Sequence, residues 1–228
     1  MRQAVLFAIL LVVSTTVYSQ SKSLALASAE GLTLHNAVAT PVTFQGKKAI
    51  KLTAAAGGAA GDTNRQDHLA LMDGVEFSSG TIEVDIAGEP GPGAAGGARG
   101  FVGVAFRVQP DRKTYDCFYL RPTNGRADDQ ERRNHTAQYI QHPGFPWFKL
   151  RQETPSKYES YVDIGPAEWV HVKIEVNGDK AKLFVNNHPQ PTLIVNDVKS
   201  GAAGKGAVAL WIEGSTIAHY ANWKVTGR

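Results

Sequence analysis

The sequence predicts an all-β protein, a two-sheet antiparallel sandwich of jelly-roll type. Short runs that alternate apolar with polar residues follow one another along almost the whole chain, and strand side chains point to opposite faces every second residue. Asn177-Gly178-Asp179 separates two such runs, and Asn-Gly suits the positive dihedrals of a tight hairpin. No stretch has helical periodicity long enough to specify a substantial helix. About a dozen short strands at this spacing require two packed sheets.

From the N-terminus, Met1-Arg2-Gln3 precedes an apolar run from Ala4 to Val13, and Val17-Tyr18-Ser19 fits a small-x-small cleavage pattern. Residues 1–19 therefore read as a secretory signal peptide, whose apolar core is too short to span a bilayer. Residues 20–228 read as a single domain of a secreted or periplasmic protein. Within it the expected strands are Leu32–His35, Val42–Phe44, Ala49–Thr53, His68–Met72, Thr81–Ala87, Phe101–Val108 and Tyr115–Arg121. Ala137–Gln141, Trp169–Asn177, Ala181–Asn186, Leu193–Val195, Ala207–Glu213 and Ile217–Thr226 complete the set. The Gly/Ala-rich segments Ala54–Gly61 and Gly88–Gly100 lack side chains that pack, and are expected to be mobile surface loops. Pro122–Asn134 and His142–Glu159 are richer loops, of the kind on which function collects.

The chain has 24 Lys+Arg against 21 Asp+Glu, a net charge of +3, and loss of the leader removes Arg2. So small an imbalance sets up no broad field for nucleic acid or anionic lipid, and neither is expected as a partner. The single cysteine, Cys117, lies in a strand pattern and is expected to be a packed thiol. The histidines show no metal-ligand spacing, with His135 and His142 in polar loop sequence. No cofactor is expected, although a calcium site made from Asp and backbone oxygens needs no linear motif. Asn134-His135-Thr136 is a glycosylation sequon in a eukaryotic context.

Strand parity separates a core set from a surface set. Val102, Val104, Phe106, Val108, Phe118, Leu120, Val208, Leu210 and Ile212 form the expected core. Arg107, Cys117, Tyr119, Arg121, Trp211 and Glu213 are left on an open face among Gly103, Ala105 and Ala209. On the last strand Trp223 and Val225 are expected inward, Tyr220 and Asn222 outward. Sugar rings offer C–H faces that stack on aromatics and hydroxyls that take charged hydrogen-bond partners. Arg107, Tyr119, Arg121, Trp211 and Glu213 are accordingly the expected ligand platform. Arg133, Asn134, Gln138, Tyr139 and Trp147 are its expected rim. For catalysis the candidates are Glu83 and Asp85, two carboxylates at i and i+2 on one strand face; the wet side of an amphipathic strand is the competing reading.

The segments GTIEVDIAG (from Gly80), FVGVAFR (from Phe101), FYLRP (from Phe118), EWVHVKIEVNGDKAKLFVN (from Glu168) and ALWIEG with HYANWKV (from Ala209 and His219) resemble the concanavalin A-like lectin/glucanase superfamily in its laminin-G-like branch. The style is similar to secreted bacterial 3-keto-disaccharide hydrolase and family 16-like glycosidase domains. Family 16 enzymes carry an E-x-D-x-(x)-E strand motif; Glu83-Val84-Asp85 matches its first half, and the next acid, Glu89, falls too far along. The resemblance implies an oligo- or polysaccharide partner. The leading expectation is a secreted carbohydrate-binding domain. A glycoside or 3-keto-sugar hydrolase of the same fold is the alternative, and a protein-binding adhesion module the third.

Overall fold

A computed structural model describes residues 20–55 and 68–227. The expected leader at 1–19 and most of the expected 54–61 loop lie outside the described residues. The strands in chain order are β1 (Gln20–Leu24), β2 (Leu32–His35), β3 (Ala37–Phe44), β4 (Lys47–Ala54), β5 (His68–Met72), β6 (Gly80–Pro90), β7 (Val102–Val108) and β8 (Tyr115–Leu120). They continue with β9 (Ala137–His142), β10 (Glu159–Ser160), β11 (Val170–Asn177), β12 (Lys180–Val185), β13 (Leu193–Val195), β14 (Ala207–Ile212) and β15 (Thr216–Gly227). Two short helices, α1 (Gln130–Asn134) and α2 (Trp147–Glu153), interrupt the loops expected to be functional.

All pairings between these strands are antiparallel. The first sheet runs β13-β12-β11-β6-β15-β4-β3 with β1 beside β15, and the second runs β10-β9-β8-β7-β14-β5-β2. The protein is thus a two-sheet β-sandwich. In the first sheet, Ile82, Val84 and Ile86 of β6 and Val170, Val172, Ile174 and Val176 of β11 are buried, while Glu83, Asp85, His171 and Lys173 between them are half-exposed. That alternation holds one face against the core and leaves the other wet. The β11–β12 hairpin turns at Gly178, whose φ of +60° glycine adopts without strain. Between the sheets, rings run in sequence from Phe77 through Phe106, Phe118 and Tyr139 to Tyr158, each contributing about 1.5–3 kcal/mol by burial.

Three expectations need correction. The face read as open is covered: β7 and β8 are buried along their whole length. Among the described residues, the loops bearing Phe101, Arg121 and Trp147 fold onto it. Arg107 does not stand on that face. It sits at an irregularity where β14 shifts register against β7 between Ala207 and Ala209, with a positive φ of +54°. Such a bulge re-aims a side chain, and here it turns the guanidinium into the end of the sandwich. Its nitrogens donate to the carbonyls of Ser78, Gly178 and Gly201 and to Ser200 Oγ. Tyr220 points inward for the same reason. A second bulge follows Ala221, with Asn222 at φ +53°, and the Tyr220 hydroxyl reaches Gly103 O and Trp211 O of the opposite sheet.

Candidate functional site

Cross-strand registry in the second sheet places Leu69, Trp211, Gly103, Tyr119, Gln138 and Glu159 in one row running over β5, β14, β7, β8, β9 and β10. Residues directly opposite one another share a face, so this row lies on the side turned away from the first sheet. Gly103 is the gap in it. A Cβ there would meet Phe118 O at 2.2 Å and Tyr119 Cβ at 2.6 Å. With no side chain between them, the Tyr119 and Trp211 rings stack at 5.0 Å. Trp211 Nε1 donates to Tyr115 Oη at 2.9 Å, so the pair is held at both ends.

Arg121 follows Tyr119 by two residues and projects over the same end of the row. Its guanidinium donates to Tyr119 Oη at 2.9 Å, Gln138 Oε1 at 3.1 Å and His135 O at 2.6 Å. The rings of Phe101, Tyr119 and Trp147 surround it at 5.0–5.9 Å. Gln138 is fixed in turn by donating to Tyr139 O and Tyr158 O. Glu159 closes the row and is buried. Arg151, from α2, forks its two oxygens, with Nε at 3.0 Å from Oε2 and Nη2 on Oε1. Arg121 Nη1 lies 3.5 Å from Oε1, and His135 Nδ1 lies 2.9 Å from Oε2. That imidazole contact is ionic in distance without hydrogen-bond alignment, and both ring nitrogens are buried without a hydrogen bond.

Burial holds the His135 imidazole below its ordinary pKa; Glu159 opposes this, and the positive charges of Arg151 and Arg121 add to the fall. The ring is therefore neutral at neutral pH and able to accept a proton. Around Glu159 the chain thus gathers a proton acceptor, two guanidiniums and an aromatic wall.

The sequence model of the 3-keto-alpha-glucoside-1,2-lyase-like domain matches residues 37–226. The chain belongs to this family. Among curated proteins, none matches the sequence. The fold of this 3-keto-glucoside lyase-like domain is similar to carbohydrate-binding module CBM66 from Bacillus subtilis, with a TM-score of 0.55, 16% identity, and coverage of 86% of this chain and 95% of that one. It is also similar to a galectin-like protein of unknown function from Bacillus subtilis, with a TM-score of 0.58, 13% identity, and coverage of 91% and 96%. A third similar fold is the Crh5 transglycosylase solved with NAG, at TM-score 0.52, 9% identity, and coverage of 91% and 83%. At these identities the likeness is one of fold alone.

Of the residues singled out in the sequence, the lyase-like domain brings Tyr119, Arg121, Gln138, Trp147 and Trp211 together. Arg133 and Asn134 sit nearby on α1: Arg133 Nη2 donates to Tyr161 Oη at 3.1 Å, and the exposed Asn134 accepts from Gln130. Glu213 lies just past β14 and is occupied as a turn residue, accepting from the backbone N–H and hydroxyl of Ser215. Tyr139 is corrected from rim to core. It pairs with Phe118 on the inner face, donates to Asp116 Oδ1 at 2.6 Å and accepts from Lys199 N. Burial raises the pKa of Asp116, with hydrogen bonds from Ser200 and Tyr139 and the charge of Arg107 opposing. Arg107, Asp116 and Tyr139 therefore form a buried network of the sandwich interior.

Glu83 and Asp85 lie on the outer face of the first sheet, with the whole core between them and Arg121. Asp85 is committed to Lys47, His171 and Asn222. Burial would raise its pKa, but the hydrogen bonds from those three residues outweigh it and hold it low. Among the described residues no group of three or more His, Cys, Asp or Glu is placed to hold a metal ion, and no helix is long and apolar enough to cross a membrane. Sequence reasoning missed Glu159. It sits in a two-residue strand beside Tyr158, with no alternation or motif to single it out.

Proposed function

We propose that this domain cleaves 3-keto-glycosides by elimination, with His135 as the base and the Glu159-held guanidiniums as the electrophilic partners. The observation that carries the reading is the contact of His135 Nδ1 with Glu159 Oε2 at 2.9 Å, beside Arg121 and Arg151, in a chain of this family. A ketone at C3 acidifies the proton on C2. A neutral imidazole removes that proton, and its electron pair moves onto the C3 oxygen, where guanidinium donors stabilise the enolate. Collapse of the enolate forms a C1–C2 double bond and breaks the C1–O bond. The protonated imidazole returns its proton to the departing alcohol. The partly exposed Trp147 supplies a ring face for the sugar, over the buried Tyr119–Trp211 stack that supports the site. The carboxylate pair Glu83 and Asp85 has no part in this scheme.

The test uses p-nitrophenyl 3-keto-α-glucoside beside the unoxidised glucoside. Release of p-nitrophenol from the keto compound only, abolished in His135→Gln, is the expected result. Turnover retained in His135→Gln removes the assignment of the base. A protein retarded in glycan-containing gels that releases nothing from either compound is instead a binding domain. That second reading is favoured by the partly exposed Trp147 ring, with Arg121 and Arg151 beside it. Under both readings the partner is a saccharide, and the leader-like residues 1–19 support export to the periplasm or medium.

A further inference from the structure

A second group of cations stands beside Arg121. The Thr123 backbone N–H reaches Arg99 O at 3.4 Å, which ties the Gly-rich segment before β7 to the turn after Arg121. Arg121 in turn holds His135 O, three residues past Arg132. Among the described residues, Arg99 donates to Gly96 O and Ala98 O of its own loop. The Arg132 side chain has no hydrogen-bond or ion-pair partner among the described residues, and its Nε is buried without one, as are Arg133 Nε and Thr123 Oγ1. The N-cap carboxylate of the helix, Asp129, accepts from the N–H groups of Glu131 and Arg132. Burial first, and then the charges of Arg132 and Arg121, lower the proton affinity of Arg99.

Like charges assembled without counter-charge are unfavourable, and planar guanidiniums match an oxyanion in bidentate fashion. We propose that Arg99 and Arg132, with Arg121 at their edge and Thr123 Oγ1 as a further donor, form a recognition corner for an oxyanion substituent on the glycan, a carboxylate or a sulfate ester. This rests on the saccharide reading of the Glu159 site and names its substrate class. A neutral sugar ring packs on the partly exposed Trp147 side; the charged substituent sets which glycan is chosen.

The experiment is calorimetric titration of the full chain with glucuronate, glucose 6-sulfate, glucose and inorganic sulfate. Glucuronate or glucose 6-sulfate should bind at least tenfold more tightly than glucose, about 1.4 kcal/mol. Whichever of the two binds more tightly identifies the substituent. Arg99→Gln with Arg132→Gln should erase that preference while leaving glucose binding, the melting temperature and turnover of a neutral 3-keto-glucoside unchanged. Equal binding of charged and neutral sugars overturns the proposal, as does a preference that survives the double variant, or binding of inorganic sulfate unaltered by it. These titrations use unoxidised sugars, so they stand whether or not the domain cleaves a 3-keto-glycoside.

Discussion

Tyr119 and Trp211 stack across Gly103, which pairs with both in the sheet but places nothing between their rings. The added methyl of Gly103→Ala would strike Phe118 O and Tyr119 Cβ. Backbone cannot yield there as a flexible side chain would, and overpacking of this kind costs about 1–3 kcal/mol. A fall in melting temperature of roughly 3–10 °C is expected for a domain of this size. An unchanged melt would mean the row is looser than the registry implies.

Trp211→Ala tests whether the same row is structural as well as functional. Trp211 is only 9% exposed and belongs to the core cluster, so its loss should cost about 3–5 kcal/mol. Trp211→Phe keeps the stacking but removes the indole N–H that donates to the Tyr115 hydroxyl, an effect of about 0.5–1.5 kcal/mol. Chemical denaturation measures both. A stable Trp211→Ala protein with only a binding defect would restore the open-platform reading.

Arg107 should behave as a structural residue. Its guanidinium joins the Ser78, Gly178 and Ser200–Gly201 segments from both sheets. Arg107→Lys presents a single ammonium in place of the fork and should lose about 2–4 kcal/mol, since buried charged hydrogen bonds are costly to leave unmade. The lysine variant, refolded at low temperature, should bind sugar as the parent does. Sugar binding lost from a fully folded variant would return Arg107 to the site.

The strands were legible because apolar alternation survives in β6, β11 and the inner faces of β7 and β8, where Val102, Val104, Phe106, Phe118 and Leu120 are core as expected. Face assignment failed where alternation was broken in the backbone. Arg107 and Asn222 both have positive φ without being glycine, so neither sequence position advertises the bulge that turns Arg107 and Tyr220 inward. The Tyr119–Arg121–Gln138 part of the site was legible because Tyr119 and Gln138 sit on regular strands and Arg121 directly follows one. Glu159 was not: its partners Arg151 and His135 come from α2 and the end of α1, and only tertiary folding brings them to it. Arg99 was obscured by its glycine-rich surroundings.

His219 gives the fold a pH dependence on the side remote from the site. Its ring stacks on Phe44 at 3.7 Å. Burial, reinforced by the charge of Lys51, lowers its pKa to about 4 from an ordinary 6.5. The unfolded chain therefore binds a proton in that window that the folded chain does not, and stability rises with pH between the two values. The contribution is fully present above about 6.5 and falls away as pH drops toward about 4. His219→Phe should flatten this segment of the stability curve relative to the parent, measured by denaturant melts at pH 4.5 and 7. Parallel curves for the two proteins would rule the linkage out.

Glu159→Gln separates the charge of the carboxylate from its shape. The amide fits the same space, yet Arg151 and Arg121 then face each other without the anion between them. Removing one partner of a buried ionic cluster costs about 3 kcal/mol, partly relieved here because Arg151 reaches solvent. In the parent, the Glu159 charge raises the affinity of His135 for a proton against burial and the two arginines. Without it the imidazole titrates at still lower pH, so the acid limb of cleavage should move downward while the plateau rate falls about a hundredfold, the scale of one misplaced electrophilic partner. A merely structural Glu159 would lower the melting temperature and leave the limb where it was. Measured together, the pH profile of p-nitrophenol release and the melt decide between a carboxylate that tunes the base and one that only holds the loops together.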